Sequence, residues 1–424
     1  MTPVDPARNA ERLSRRLLRW SFANLLVVAL LGLLLRAVPF LRPLPFAYGN
    51  LLHGHSHFAF GGWVQPVLLA LLLRNFPVLS AAVPMRHWAA VSVLLVGAAW
   101  GMLLTFPVQG YGTASIAFSS LSLAAGIYEA VLVWTALRRE PPSPAQSFMK
   151  WGFIWMTISA IGPFATGPIA VFNGIDSPLF RDAVYFYLHF QYNGAFTFLV
   201  LALLLKTHVS RRAKSVFLLF NAAVVPAFAL SVLWHSPGIA LNIAGAAAGI
   251  TQLAGFALLL LLLAPRLSRL LPVVSIAALG LKLVLQALSA LPEIALMAAA
   301  QRNFVIAYLH LVLLGFISCF AFSRAGKSPR FRLGGFIFLT GFFFSEAILV
   351  LNAFGWYLPA NAGVLLAVSA LLPAGVLLML AGMRLLSQKA GSTGVAHSIA
   401  RMGERQHKPR SRSRGMVQAA SGTV

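Results

Sequence analysis

Residues 50–73 read NLLHGHSHFAFGGWVQPVLLALLL, twenty-four residues without a lysine, arginine, aspartate or glutamate. A run of about 20 apolar residues is long enough, as a helix, to cross the hydrocarbon core of a bilayer. Its first third carries His53, His55 and His57. Residues four apart on a helix share a face, so His53 and His57 point together and His55 points roughly the opposite way. Ionisable side chains are costly in hydrocarbon and rare there, so three of them at one end of a span mark a candidate functional site.

Working outward, similar stretches recur at 20–41, 87–106, 113–137, 149–172, 183–206, 215–234, 239–264, 270–291, 303–324, 331–353 and 363–386. With 50–73 they make an expected bundle of twelve transmembrane helices, an all-α polytopic membrane fold. Prolines at 39, 77, 107, 141, 237, 265, 292, 329 and 359 punctuate the stretches. The composition agrees: 59% hydrophobic, 10% charged and a mean hydropathy of +0.82 exclude a soluble globular domain. The chain has 33 Lys and Arg against 9 Asp and Glu. In this pattern 28 of the cations fall in the N-terminal segment, alternate loops and the C-terminal segment, and four on the other side, at Arg36, Arg42, Arg181 and Arg302. The excess of cations on one side predicts that both termini are cytoplasmic, in a bacterial-type plasma membrane. Three regions follow: a basic segment over 1–19, the helical domain over 20–386, and a Ser-, Arg- and Gly-rich tail over 387–424, expected to be disordered. The tail reads as a solvated positive-inside segment, so no nucleic-acid partner is expected. The apolar run near the N-terminus lacks a small-residue cleavage site and is read as a retained first helix. The lone cysteine, Cys319, excludes an internal disulfide, a cysteine-based cluster and a covalently attached c-type haem.

Three further histidines fall in the same layer. The sixth stretch reads YFYLHFQYNG around His189, the tenth reads AYLHLVLLG around His310, and the seventh ends WHSPG at His235. At about 1.5 Å rise per residue, the histidines of the second, sixth and tenth helices lie roughly 5–12 Å inside the outer boundary. Imidazoles from separate helices at one depth suit a buried haem or metal centre. Gly194 follows His189 by five residues and Gly315 follows His310 by five. Aromatic residues crowd this layer and read equally as the wall of a flat macrocycle or as an interfacial belt.

These motifs resemble subunit I of the haem–copper oxidase superfamily, in the branch of the nitric oxide reductase large subunit. The resemblance implies twelve helices, cytoplasmic termini, and a low-spin haem held between the second and tenth helices. Its tenth-helix motif, H-x-H-L-x-x-x-G, aligns with Tyr308-Leu309-His310-Leu311 and Gly315. His310 then matches the low-spin haem ligand, and Tyr308 stands where the high-spin haem ligand would be. On the second helix either His53, followed by glycine, or His55, better spaced from Pro66, fits the other axial position. His189 matches a copper ligand, with Asn193 where the family has glutamate. His235 stands alone where the family has two histidines, and His57 is a further metal candidate. The implied cofactors are a b-type haem and, less completely, copper or iron. The implied partners are membrane lipid, a cytochrome c or other respiratory subunit, and a diatomic gas. Twelve-helix haem proteins linked to the nitric oxide response (NnrS-like) are the near alternative.

Glu129, Lys282 and Glu346 fall inside predicted spans, and an ion pair between Lys282 and Glu346 is the simplest expectation. No unbroken polar stripe leads from the basic side to the histidines, which argues against a strong proton pump. A proton- or metal-coupled secondary transporter without haem, and a cofactor-free structural partner of a respiratory complex, are the competing readings. Transporter sites usually lie near the midplane, whereas these histidines lie near one face.

Overall fold

The computed structural model describes residues 6–41, 45–138, 140–264 and 267–383. The predicted tail lies outside the described residues. Among the described residues there is no strand, and eleven helices are long and apolar enough to cross a membrane. In chain order these are α1 (Pro6–Phe40), α2 (Tyr48–Asn75), α3 (Met85–Gln109), α4 (Thr113–Leu137), α5 (Pro144–Asn173), α7 (Arg211–His235), α8 (Ile239–Leu263), α9 (Leu270–Leu288), α10 (Arg302–Ala325), α11 (Pro329–Ala353) and α12 (Asn361–Met383). Between α5 and α7 lies α6, helical over 178–204. It is not one of the eleven, because His189, Gln191 and Asn193 dilute its apolar run.

The helix starts are written locally. Ser143, Ser177 and Ser328 each precede a proline at the first helical position and accept a hydrogen bond from the backbone amide three residues further on. At α5 the cap is reciprocal, because the Gln146 side chain accepts from the Ser143 amide. At α3 the chain leaves the helix through Gly110 with φ 58°. The expected first helix began at residue 20, but α1 starts at Pro6. Its first turns dock on the bundle through buried Leu17 and Leu18 and a Ser14 Oγ bond to the Ala70 carbonyl.

The centre of the bundle is α2. Of its most apolar stretch 83% is buried in protein, against 28–56% for the other ten spans. All residues of α6 from 193 to 203 are buried, as are those of α10 from 315 to 322. Many large apolar residues of the outer helices stay exposed, such as Val93, Val171 and Phe172, as expected of a surface that faces lipid. A multi-pass membrane protein built around three inner helices follows.

Candidate functional site

The three inner helices share one local device. Each runs as an α-helix to or just past a histidine and then widens into a π-turn: Ala59–Val64 in α2, Phe190–Phe196 in α6 and Leu311–Ser318 in α10. A π-turn inserts one extra residue and rotates the outer part of the helix relative to the inner part. In each, a glycine stands five residues after a histidine: His57 and Gly62, His189 and Gly194, His310 and Gly315. A side chain at Gly194 would meet the Trp155 Cβ of α5 at 2.6 Å, and one at Gly315 the Phe342 ring of α11 at 3.0 Å. The π-turns also present carbonyls that a polar side chain covers. Asn24 of α1 donates to the Gly62 carbonyl at 2.8 Å, Thr197 to Tyr192 at 2.6 Å, and Ser318 to Leu313 at 2.7 Å. Backbone inside hydrocarbon needs such partners, which is how irregular turns persist there.

The π-turns meet one another. Phe60 packs on Phe196 with ring centres 5.5 Å apart, Tyr192 on Tyr308 at 6.1 Å, and Trp63 Nε1 donates to Ser318 Oγ at 2.9 Å. Sequence reading found two of the three His-x4-Gly repeats and no repeat as such. The third copy was hidden by the neighbouring His53 and His55.

The histidines then separate by face. His310 Nδ1 lies 2.8 Å from Glu346 Oε1 of α11. A carboxylate only accepts, so the hydrogen sits on Nδ1 and Nε2 keeps its lone pair. This is how proteins orient an imidazole for iron or metal. His55 turns the other way, against α1. Its Cε1 would lie 3.4 Å from a side-chain atom added at Gly32, and its buried Nδ1 has no partner. His55 and His310 lie within electrostatic range of each other. Arg36 is within range of both His55 and Glu346, and Arg302 lies over the Tyr48 ring and acts on His53. Of the four arginines on the sparsely charged side, Arg36 thus lies by this pair and Arg302 by the outer turn of α2.

No protein-family model matches the chain, and no curated protein matches it.

The remaining candidates are engaged by the protein. His57 stacks on Phe106 at 4.5 Å, and its Nε2 is 3.2 Å from the Tyr111 hydroxyl. His53 meets the same Tyr111 ring edge-on at 4.8 Å. His189 is fully buried. Its Nε2 donates to the Val224 carbonyl of α7 at 2.8 Å, and its Nδ1 accepts from Asn193 at 3.0 Å. His235 bonds to Asp182 at 3.0 Å, and Trp234 donates to the same carboxylate. Tyr308 donates to Gln286 at 3.4 Å. Among the described residues no group of three or more His, Cys, Asp or Glu side chains converges as a metal site, so His57, His189 and His235 are not brought together.

The expected pair of Lys282 and Glu346 is not formed, because His310 takes the carboxylate. Lys282 is buried near His189, and the structure gives it neither a hydrogen bond nor a salt bridge among the described residues. Glu129 accepts from Gln65 of α2 at 3.0 Å. A buried lysine without a partner is costly, so Lys282→Met should stabilise the fold by about 1–3 kcal/mol. Thermal unfolding in detergent checks this, and a lowered midpoint would show that the amine holds a partner.

Proposed function

We propose that this chain is a multi-pass membrane haem protein in which His55 and His310 bind the iron of one low-spin b-type haem. The observation that carries the reading is the pair itself. His310 has Nδ1 held by Glu346 and Nε2 left for a ligand, and His55 has a buried Nδ1 without a partner. Arg36 and Arg302 supply positive charge for the two carboxylates of a haem.

The residues fit a bis-imidazole haem. Held by two imidazoles, such a haem would supply single-electron transfer rather than gas binding. The chain's own part is to orient His310 through Glu346, to hold His55 against α1, and to keep water away with the buried turns of α2 and α10. The residues do not fit a second haem next to copper. His189 has both ring nitrogens bonded to protein, and Tyr308 is bonded to Gln286. Of the implied chemistry, electron transfer to a respiratory partner is therefore favoured over reduction of oxygen or nitric oxide. The haem–copper likeness is retained as a likeness of the second and tenth helices. With α6 taken as a twelfth span, the distribution of cations supports cytoplasmic termini in a bacterial-type cell.

The test is a visible spectrum of the purified chain, oxidised and dithionite-reduced, with pyridine haemochrome quantification. One haem b per chain, with sharp reduced bands that carbon monoxide does not alter, is expected. No haem after expression with haem supplied would overturn the reading and leave the proton- or metal-coupled transporter. A carbon monoxide-sensitive second haem would overturn the single-site assignment.

A further inference from the structure

A large cavity lies on the face where the cations collect, lined by none of the candidate site histidines, although His208 borders it. It has a volume of about 1090 Å³ and opens between the ends of α6, α8, α9, α10 and α11. Lys206, Arg269, Arg324, Lys327 and Arg332 line it, and among the described residues no aspartate or glutamate does. None of the five forms a salt bridge among the described residues, whereas Arg15 and Arg74 elsewhere on this face both pair with Glu11. Lys206 is tied to Asn75 and Arg324 lies over the Phe320 ring, so two of the cations are held in place by neutral groups.

The walls change character with depth. Leu203, Leu263, Leu271 and Leu339 line the same cavity. Leu339 lies seven residues beyond Arg332 along α11, about 10 Å deeper at the rise of an α-helix. Phe336 and Leu270, also in the lining, are 61% and 56% exposed on the outer surface, so the apolar part opens toward lipid. A soluble anion would need polar walls throughout. A charged mouth over an apolar, laterally open slot suits a phosphate headgroup with acyl chains.

We infer that this cavity binds a phosphate-bearing anion presented by the headgroup of an anionic phospholipid. Arginine pairs with phosphate through two parallel hydrogen bonds, and basic pockets between membrane helices on the cytoplasmic side are the usual place for such headgroups. Five cations exceed what one phosphate neutralises, so a lipid with two phosphates is preferred. The inference stands on the cavity alone and is independent of the haem reading.

The experiment uses the purified full chain, delipidated in detergent and titrated with cardiolipin, phosphatidylcholine or inorganic pyrophosphate, with binding read by native mass spectrometry. Cardiolipin should bind and phosphatidylcholine should not. The exposed pair R269Q/R332Q should weaken cardiolipin about thirtyfold, equivalent to about 2 kcal/mol. R12Q/R16Q, also exposed on the basic face but outside the cavity, should match the wild type. Equal affinity of R269Q/R332Q and the wild type, or equal weakening by R12Q/R16Q, would overturn the site. Pyrophosphate binding as tightly as cardiolipin would overturn the lipid as its source.

Discussion

If the proposed haem is bound, alanine at either His310 or His55 should remove it, taking the pyridine haemochrome content from about one per chain to a small residue. Alanine at His57 or His189 should leave it in place. The contrast follows from what each ring already touches. His57 is spent on Phe106 and Tyr111, and His189 on Val224 and Asn193. His55 keeps a buried Nδ1 without a partner, and His310, with Nδ1 on Glu346, keeps Nε2. Loss of haem in H189A but not in H55A would relocate the site to α6. The Glu346→Gln variant separates ligation from orientation. Glutamine still accepts at Oε1, so the ring stays placed, but it no longer pulls on the Nδ1 hydrogen and the ligand becomes less basic. A less basic ligand stabilises the oxidised iron less. The midpoint potential should therefore rise by tens of millivolts, where about 60 mV is a tenfold change for one electron. An unchanged potential with full haem would show that Glu346 is only packing.

The second large effect concerns α11 and α12, which carry the helix holding Glu346. Here two backbones touch. A Cβ at Gly334 would lie 2.5 Å from the Gly375 carbonyl, and one at Gly375 would lie 2.6 Å from the Gly334 carbonyl. About two turns along each helix, Cβ atoms at Gly341 and Gly382 would come within 2.8 Å of Leu371 and 2.7 Å of Phe331. Small residues at such spacing let membrane helices approach for dispersion contacts, the main drive for their association. Gly375→Leu cannot be absorbed by a rotamer, because its neighbours are backbone. Overpacking of ordinary cores costs about 1–3 kcal/mol, and this substitution should lie at or above the upper end. Folded yield and the thermal midpoint in detergent should both fall, while Gly363→Leu, with open space around it, should change neither. Equal behaviour of the two variants would show that α12 does not depend on this seam.

Much of this chain is written locally. The stretch 113–137 is α4 residue for residue, and 50–73 and 87–106 lie within α2 and α3 to within three residues of each end. Twenty apolar residues between turn signals have few alternatives in a bilayer, because the backbone must satisfy its own hydrogen bonds. The opposite facing of His55 to His53 and His57 is local too, a matter of 100° per residue. His310 stood out because its five-residue spacing to Gly315 sits on one helix.

What each histidine faces was not local. The choice of His55 over His53 depends on α1 lying against one side of α2 and Tyr111 against the other. The partnership of Glu346 with His310 rather than Lys282 depends on the rotation of α11, which an apolar sequence on all sides does not specify. The π-turns that aim the inner helices depend on groups brought in from elsewhere, such as Asn24 of α1. Sequence by itself determined a membrane bundle and the layer in which its histidines lie, because hydropathy and helical period act within one helix. Only the tertiary structure decided which imidazoles are spent on the protein and which remain for a ligand, because that depends on contacts between helices.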